Sequence, residues 1–280
     1  MHISVFRKDP KNVGDWWSRP ATYLPLKAQE NADLVAEEPI PNEPGIVILG
    51  GGGLGREAFE PYLKRLARPD RKYTIIAWGV GADSVTRKKQ LMPGPEDMAA
   101  LTAYFDDMDE IGTRIHSSDN YGGDARYRWV PCASCLSPLF QELRGRPAKR
   151  RIGIYEHLRE PLTPHIGQGG RLWAKWFGRY DIASNRGMDL EAKLTFLADS
   201  EYVLTNSYHG VFWGTILGRK VICAPFKNGL FSFRHMPTYL GANGLDAALD
   251  QARAYPEALE ECQAANHAFH DDMRAKYGEL

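Results

Sequence analysis

The sequence predicts an α/β protein with a mostly parallel sheet in each half, and three observations carry that prediction. Short β-branched runs alternate with helix-patterned stretches along most of the chain, the signature of βα units. Several of these runs end in glycines or small polar residues, where a strand enters a turn. A basic segment around Pro147, RGRPAKRR from Arg144 to Arg151, separates two such sets and reads as a linker. At 280 residues the chain has room for two ordinary domains, expected at 1–143 and 144–280.

The elements follow in order. His2 to Phe6 is a first strand, and Ile46 to Leu49 a second that leads into Gly50–Gly55 and a helix from about Arg56 to Leu66. Tyr73 to Trp78 is a third strand, ending at Gly79-Val80-Gly81. Pro95 to Phe105 is helix-patterned, and Ile111 to Ile115 is a short strand. Beyond the linker, Ile152 to Tyr155 opens the second set, and Met188 to Ala198 is a helix. Tyr202 to Leu204 and Lys220 to Cys223 are strands flanking another helix, and Leu245 to Tyr277 is helical with a break near Pro256.

Composition excludes several classes. With 43% hydrophobic and 25% charged residues the chain is of the soluble globular kind. Its formal net charge of zero gives no general attraction to nucleic acid or anionic membrane. The N-terminal residues carry no charged region followed by an apolar signal core, and no apolar run reaches the roughly 20 residues needed to span a bilayer. Four cysteines do not make a disulfide framework in a chain this long. The expectation is a cytoplasmic protein, with substrates at the inner membrane face within reach.

The segment Tyr202 to Cys223 carries most information. An apolar strand ends in Thr205-Asn206-Ser207, Tyr208-His209-Gly210 follows, and a helix leads to the next strand. Ligands bind at this edge of open α/β sheets, and a helix N-terminus there offers free N–H groups to an anion. An imidazole at such a turn can give and take protons near neutral pH, so His209 is the candidate acid/base; bracing the turn is the alternative.

Other motifs are weaker. Gly50–Gly55 satisfies G-x-G-x-x-G after a strand, but the following strand ends without the carboxylate that a dinucleotide ribose requires. Gly51, Gly52 and Gly53 remain candidates for a backbone nest around an anion, or for a closely packed turn. Asn12-Val13-Gly14-Asp15 follows the first strand; Asp15 could accept a sugar hydroxyl, act as a base, or cap a helix, and Trp16 and Trp17 offer flat faces to a sugar or to a core. Arg114, Arg186, Lys227, Arg234 and His235 sit at turns, with His157 a lesser candidate. Cys132-Ala133-Ser134-Cys135 lacks a second ligand pair for zinc and reads as structural, so no metal is expected.

Four segments in order, NVGDWWSRP, IVILGGGGLG, VPCASCLSPLF and the His209 unit, resemble the polysaccharide pyruvyl transferase family. That resemblance implies two Rossmann-like domains similar to the type-B glycosyltransferase fold. It implies transfer of a pyruvate ketal from phosphoenolpyruvate to a saccharide or lipid-linked oligosaccharide acceptor, without a cofactor. It favours His209 and Asp15 as catalytic, with Gly14, Arg114, Asn206, Ser207, Tyr208, Gly210 and Lys227 around the substrates. Family members often carry arginine where this chain has Ser207. Two alternatives stand beside it: a nucleotide-sugar-dependent glycosyltransferase, and a non-catalytic saccharide-binding protein.

Overall fold

The computed structural model describes residues 1–28, 30–82, 102–117, 120–160, 162, 180–225, 228–241 and 243–280. Lys227 and most of the helix expected from Pro95 lie outside them. The described strands form two sheets, parallel throughout. The first contains β1 (His2–Phe6), β2 (Glu30–Asp33), β3 (Gly45–Leu49), β4 (Gly52–Gly55), β5 (Tyr73–Ala82), β6 (Glu110–Thr113) and β7 (Tyr127–Trp129). Their order is β2-β1-β3-β5-β6-β7, with β4 on β5. The second sheet contains β8 (Arg150–Glu156), β9 (Asp181–Ser184), β10 (Ser200–Thr205), β11 (Lys220–Cys223) and β12 (Thr238–Tyr239), in the order β12-β11-β10-β8-β9. This is an α/β architecture of two parallel, Rossmann-like sheets.

Parallel strands covered on both faces read as continuous apolar runs, and these do. Val47, Ile48 and Leu49 of β3, Ile75 to Trp78 of β5, and Val221 to Cys223 of β11 are all buried. Between β10 and β11 lies a helix, α5 in chain order (Tyr208–Ile216), each residue of which is buried. A helix apolar all round belongs inside a protein, and this one is the centre of the second core. The other described helices are α1 (Val13–Trp16), α2 (Glu60–Leu66), α3 (Leu139–Leu143), α4 (Leu190–Ala198), α6 (Gly244–Gln251) and α7 (Ala258–Tyr277). None of the described helices is long and apolar enough to cross a membrane.

The glycine run corrects the sequence reading. Gly50–Gly55 is not a turn into a helix. Leu49 pairs with Ala77 of β5 and Gly52 pairs with Val80, so β4 continues the path of β3 along the same neighbour. The helix starts only at Glu60. Glycine is required because the backbone is crowded there. A Cβ on Gly51 would lie 2.9 Å from the Gly79 carbonyl oxygen, and Gly52 has φ +112°. With no helix N-terminus directly after the glycines, the dinucleotide geometry is absent.

Two segments tie the halves together. After β1 the chain crosses to the second sheet: the Val13 N–H donates to the Asn185 carbonyl at 3.0 Å, and the Trp17 indole donates to the Met188 carbonyl at 2.6 Å. At the other end α7 returns to the first sheet. Its buried Leu259, Cys262, Asn266, Phe269 and Met273 recur at helical spacing. Phe269 meets Trp78 edge-on at 4.8 Å, and Asn266 accepts the Trp78 indole N–H at 2.8 Å.

Candidate functional site

The carboxyl ends of strands from both sheets converge on one cleft of about 230 Å³. Asn12 and Asp15 enter it after β1, Gly53 and Arg56 at β4, Arg114 after β6, His157 to Glu160 after β8, Asn185 after β9, and Ser207 to His209 after β10. Residues far apart in sequence meet there because the parallel sheets point the same edges at each other.

His209 is buried, in the first turn of α5, and its ring is held from both sides. On the core side, Nε2 lies 3.6 Å from the Cys132 thiol. That sulfur accepts the Ser134 hydroxyl at 3.2 Å, and the Ser134 oxygen accepts the Trp213 indole N–H at 2.9 Å. Opposite, the Nδ1 edge lies against Gly14, where a Cβ would overlap the ring. Gly14 is therefore the residue that lets α1 and α5 approach. Burial pushes the Cys132 thiol up, so it faces the imidazole in its neutral form.

Asp15 stands beside this pair. Its Oδ2 accepts the Asn12 side-chain amide at 2.7 Å, and a Cβ on Gly52 would lie 3.3 Å from its Oδ1. The helix-capping role belongs to Asn12, whose Oδ1 accepts the Gly14 N–H at 3.2 Å and the Asn185 amide at 3.1 Å. Asp15 also lines the cleft.

Arg114 is a buried cation in the lining. It is only 5% exposed, its guanidinium carbon lies 3.6 Å from the centroid of the Tyr208 ring, and a Cβ on Gly81 would overlap it. Its Nη1 is buried without a hydrogen-bond partner among the described residues. Leaving a guanidinium N–H unpaired in a protein interior costs on the order of 1–3 kcal/mol. An anionic ligand would remove that penalty. Tyr208 seats the arginine, and burial pushes its phenol up, which keeps it neutral. Arg56, stacked on Phe59 at 4.2 Å, is a second cation in the lining, and its Nε also lacks a partner among the described residues.

Other sequence candidates take different roles. Asn206 is fully buried and clips a loop: its Oδ1 accepts the His157 N–H at 2.7 Å and its Nδ2 donates to the Glu160 carbonyl at 2.6 Å. Both ends of its amide are thereby engaged within the protein. Gly210 does not open space beside His209; a Cβ there would overlap Thr205 Oγ1 and lie 2.8 Å from Tyr155, so it seats α5 on β10. Ser207 lines the cleft as the N-cap residue of α5. Gly53 lines it too, whereas Gly51 and Gly52 lie behind as packing positions. Arg234 and His235 sit apart, both on Glu261, and Arg186 is exposed. Arg56 and Asn185 escaped sequence reasoning, Arg56 because it was placed inside a helix, Asn185 because its contacts cross between halves. Among the described residues no cluster of three or more His, Cys, Asp or Glu is placed to hold a metal.

No protein-family model matches the chain, and no curated protein matches it. Among solved structures, an uncharacterised protein of Klebsiella pneumoniae is similar at 16% identity, TM-score 0.48, covering 80% of this chain and 83% of that one. A protein assigned as a UDP-N-acetylglucosamine 2-epimerase of Listeria monocytogenes is similar at 12% identity, TM-score 0.44, covering 86% and 75%. The wall teichoic acid polymerase TagF is similar at 12% identity, TM-score 0.44, covering 99% and 90%. At these values the likeness assigns no activity to this chain.

Proposed function

We propose that this chain transfers a pyruvate ketal from phosphoenolpyruvate to a saccharide acceptor, in the synthesis of a cell-surface glycan. The observation that carries the reading is the buried Arg114, whose Nη1 has no partner among the described residues, in the same cleft as His209 and Asp15. The donor bears a carboxylate and a phosphate, and an arginine fork matches either group bidentately. Arg56 supplies a second cation for the other. The motif resemblance points to the same chemistry.

The reaction needs one proton on the donor methylene and two sugar hydroxyls on C2. His209 delivers the proton to the methylene, which leaves positive charge at C2. The first hydroxyl adds there as Asp15 takes its proton. The C2–O bond to phosphate then breaks, and the second hydroxyl adds to close the ketal, its proton leaving to phosphate or solvent. Two C–O bonds form, one breaks, and inorganic phosphate departs. The fixed charges of Arg114, Arg56 and Asp15 act on the charge that develops in these steps.

Phosphate release from phosphoenolpyruvate, measured with a panel of saccharide acceptors, tests the reading. His209→Ala should lower turnover by about 10²–10⁴-fold, the usual contribution of a positioned acid/base group, while the protein stays folded. Near-normal turnover in that variant would discard the mechanism.

A further inference from the structure

A second cavity, of about 290 Å³, lies at the same edge of the first sheet, where β1 and β2 end. Phe6, Lys8, Trp16, Trp17, Arg19, Thr22 and Asn31 line it. The short helix α1 ties the two sites together: Asp15 lines the cleft and its neighbour Trp16 lines this cavity. Trp16 and Trp17 are both partly exposed. Trp16 meets Phe6 edge-on at 6.4 Å, and Trp17 is fixed by its indole bond to Met188. Flat, braced aromatic faces of this kind are what the apolar face of a sugar ring stacks on.

The polar half of the lining is cationic. It holds Lys8 and Arg19 and no carboxylate. Arg19 lies 5.2 Å from the Phe6 centroid and donates through Nε to the Thr22 hydroxyl at 3.0 Å. Its Nη groups make no hydrogen bond among the described residues. The Lys8 ammonium donates to the Asn31 carbonyl at 2.6 Å, which leaves two further N–H groups on a group that has three. Desolvation by burial acts on Arg19, so an anion placed there would meet a partly dehydrated cation.

We propose that this cavity binds a sugar ring bearing an anionic group, a phosphate or a carboxylate, and serves as the acceptor-side subsite next to Asp15. Its place in the reaction rests on the transferase reading above; the binding itself does not. Because neighbouring helix residues project about 100° apart, the acceptor would have to extend from the Trp16 face round α1 to bring a hydroxyl to Asp15. Neutral sugars would have the stacking face without the cationic partners.

Tryptophan fluorescence and saturation-transfer NMR, with glucose 1-phosphate, glucuronic acid, glucose and inorganic phosphate as probes, test the proposal. One or both anionic sugars should saturate below about 10 mM and bind at least about tenfold more tightly than glucose or phosphate. Glucose 1-phosphate alone would identify a phosphate-bearing sugar, and glucuronic acid alone a carboxylate-bearing one. Trp16→Ala and Arg19→Gln should each weaken that binding about tenfold or more. Trp16→Phe should retain most of it, which separates stacking from misfolding. Saturation by neither anionic sugar, or binding unchanged in Trp16→Ala or in Arg19→Gln, overturns the proposal. Phosphoenolpyruvate stabilisation is measured on the same variants and should persist. Sugar binding without that stabilisation would remove the donor assignment and leave the subsite.

Discussion

At the residue scale, the site depends on close approach as much as on reactive groups. Gly14 lies where any side chain would collide with the His209 ring. Gly14→Ala should therefore displace the imidazole and lower turnover by at least about tenfold, with a stability loss of roughly 1–3 kcal/mol from overpacking. Turnover assays beside chemical denaturation check both; unchanged activity would mean that the ring position is not what the reaction needs. In the sequence His209 is marked by its strand-end position and Gly14 and Asp15 by the family resemblance, and the fold brings the three side by side. The part played by Cys132 was not legible there. Its thiol reads as structural within Cys132-Ala133-Ser134-Cys135, and only the fold carries it to within 3.6 Å of His209 across 77 positions. Asn206 misled in the opposite sense: a polar residue at a strand end looks free in sequence, while here its amide holds the 157–160 loop.

At the element scale, β1, β3, β10 and β11 appear where their apolar runs place them, to within two residues. The glycine run failed because glycine is ambiguous. It permits a turn, and it equally permits a strand to pass where neighbouring backbone leaves no room for a Cβ. Nothing local distinguishes the two; the pairing of Gly52 with Val80 does. Short β7, β9 and β12 carry too few residues to show periodicity and are defined by their neighbours. Gly210 shows the same logic in α5. Gly210→Ala would press a methyl into Thr205 and Tyr155, and a loss of about 1–3 kcal/mol is expected in urea unfolding. A neutral or stabilising result would show that α5 is not seated on β10 as described.

At the scale of the whole molecule, two Rossmann-like sheets share one cleft because α1 and α7 bind each half to the other. The bipartite plan was legible from the alternation of strands and helices; the return of α7 to Trp78 was not, since a helical tail pattern does not say which sheet it covers. The junction also carries a pH dependence. His116, whose backbone N–H donates to the Ser232 carbonyl, and His235 both set their rings against Trp129. Burial, the largest cause for each, lowers both imidazoles from the ordinary 6.5. The folded state therefore binds fewer protons than the unfolded one. Their contribution is fully present above about pH 6.5 and is lost as pH falls through the depressed values. Thermal midpoints should drop more between pH 7.5 and 5.5 in wild type than in the His116→Gln/His235→Gln variant, and equal drops would refute the assignment.

The donor is the claim on which the rest turns, and thermal unfolding with titrated phosphoenolpyruvate examines it directly. At about 100 times its dissociation constant a ligand adds roughly 2.7 kcal/mol, a midpoint rise of several degrees. Wild type should show a saturable rise that Arg114→Met abolishes and Arg56→Met reduces. A flat midpoint in wild type, or an equal rise in Arg114→Met, would contradict a donor held by the buried arginine. A rise with a nucleotide sugar alone would replace it with a glycosyl donor.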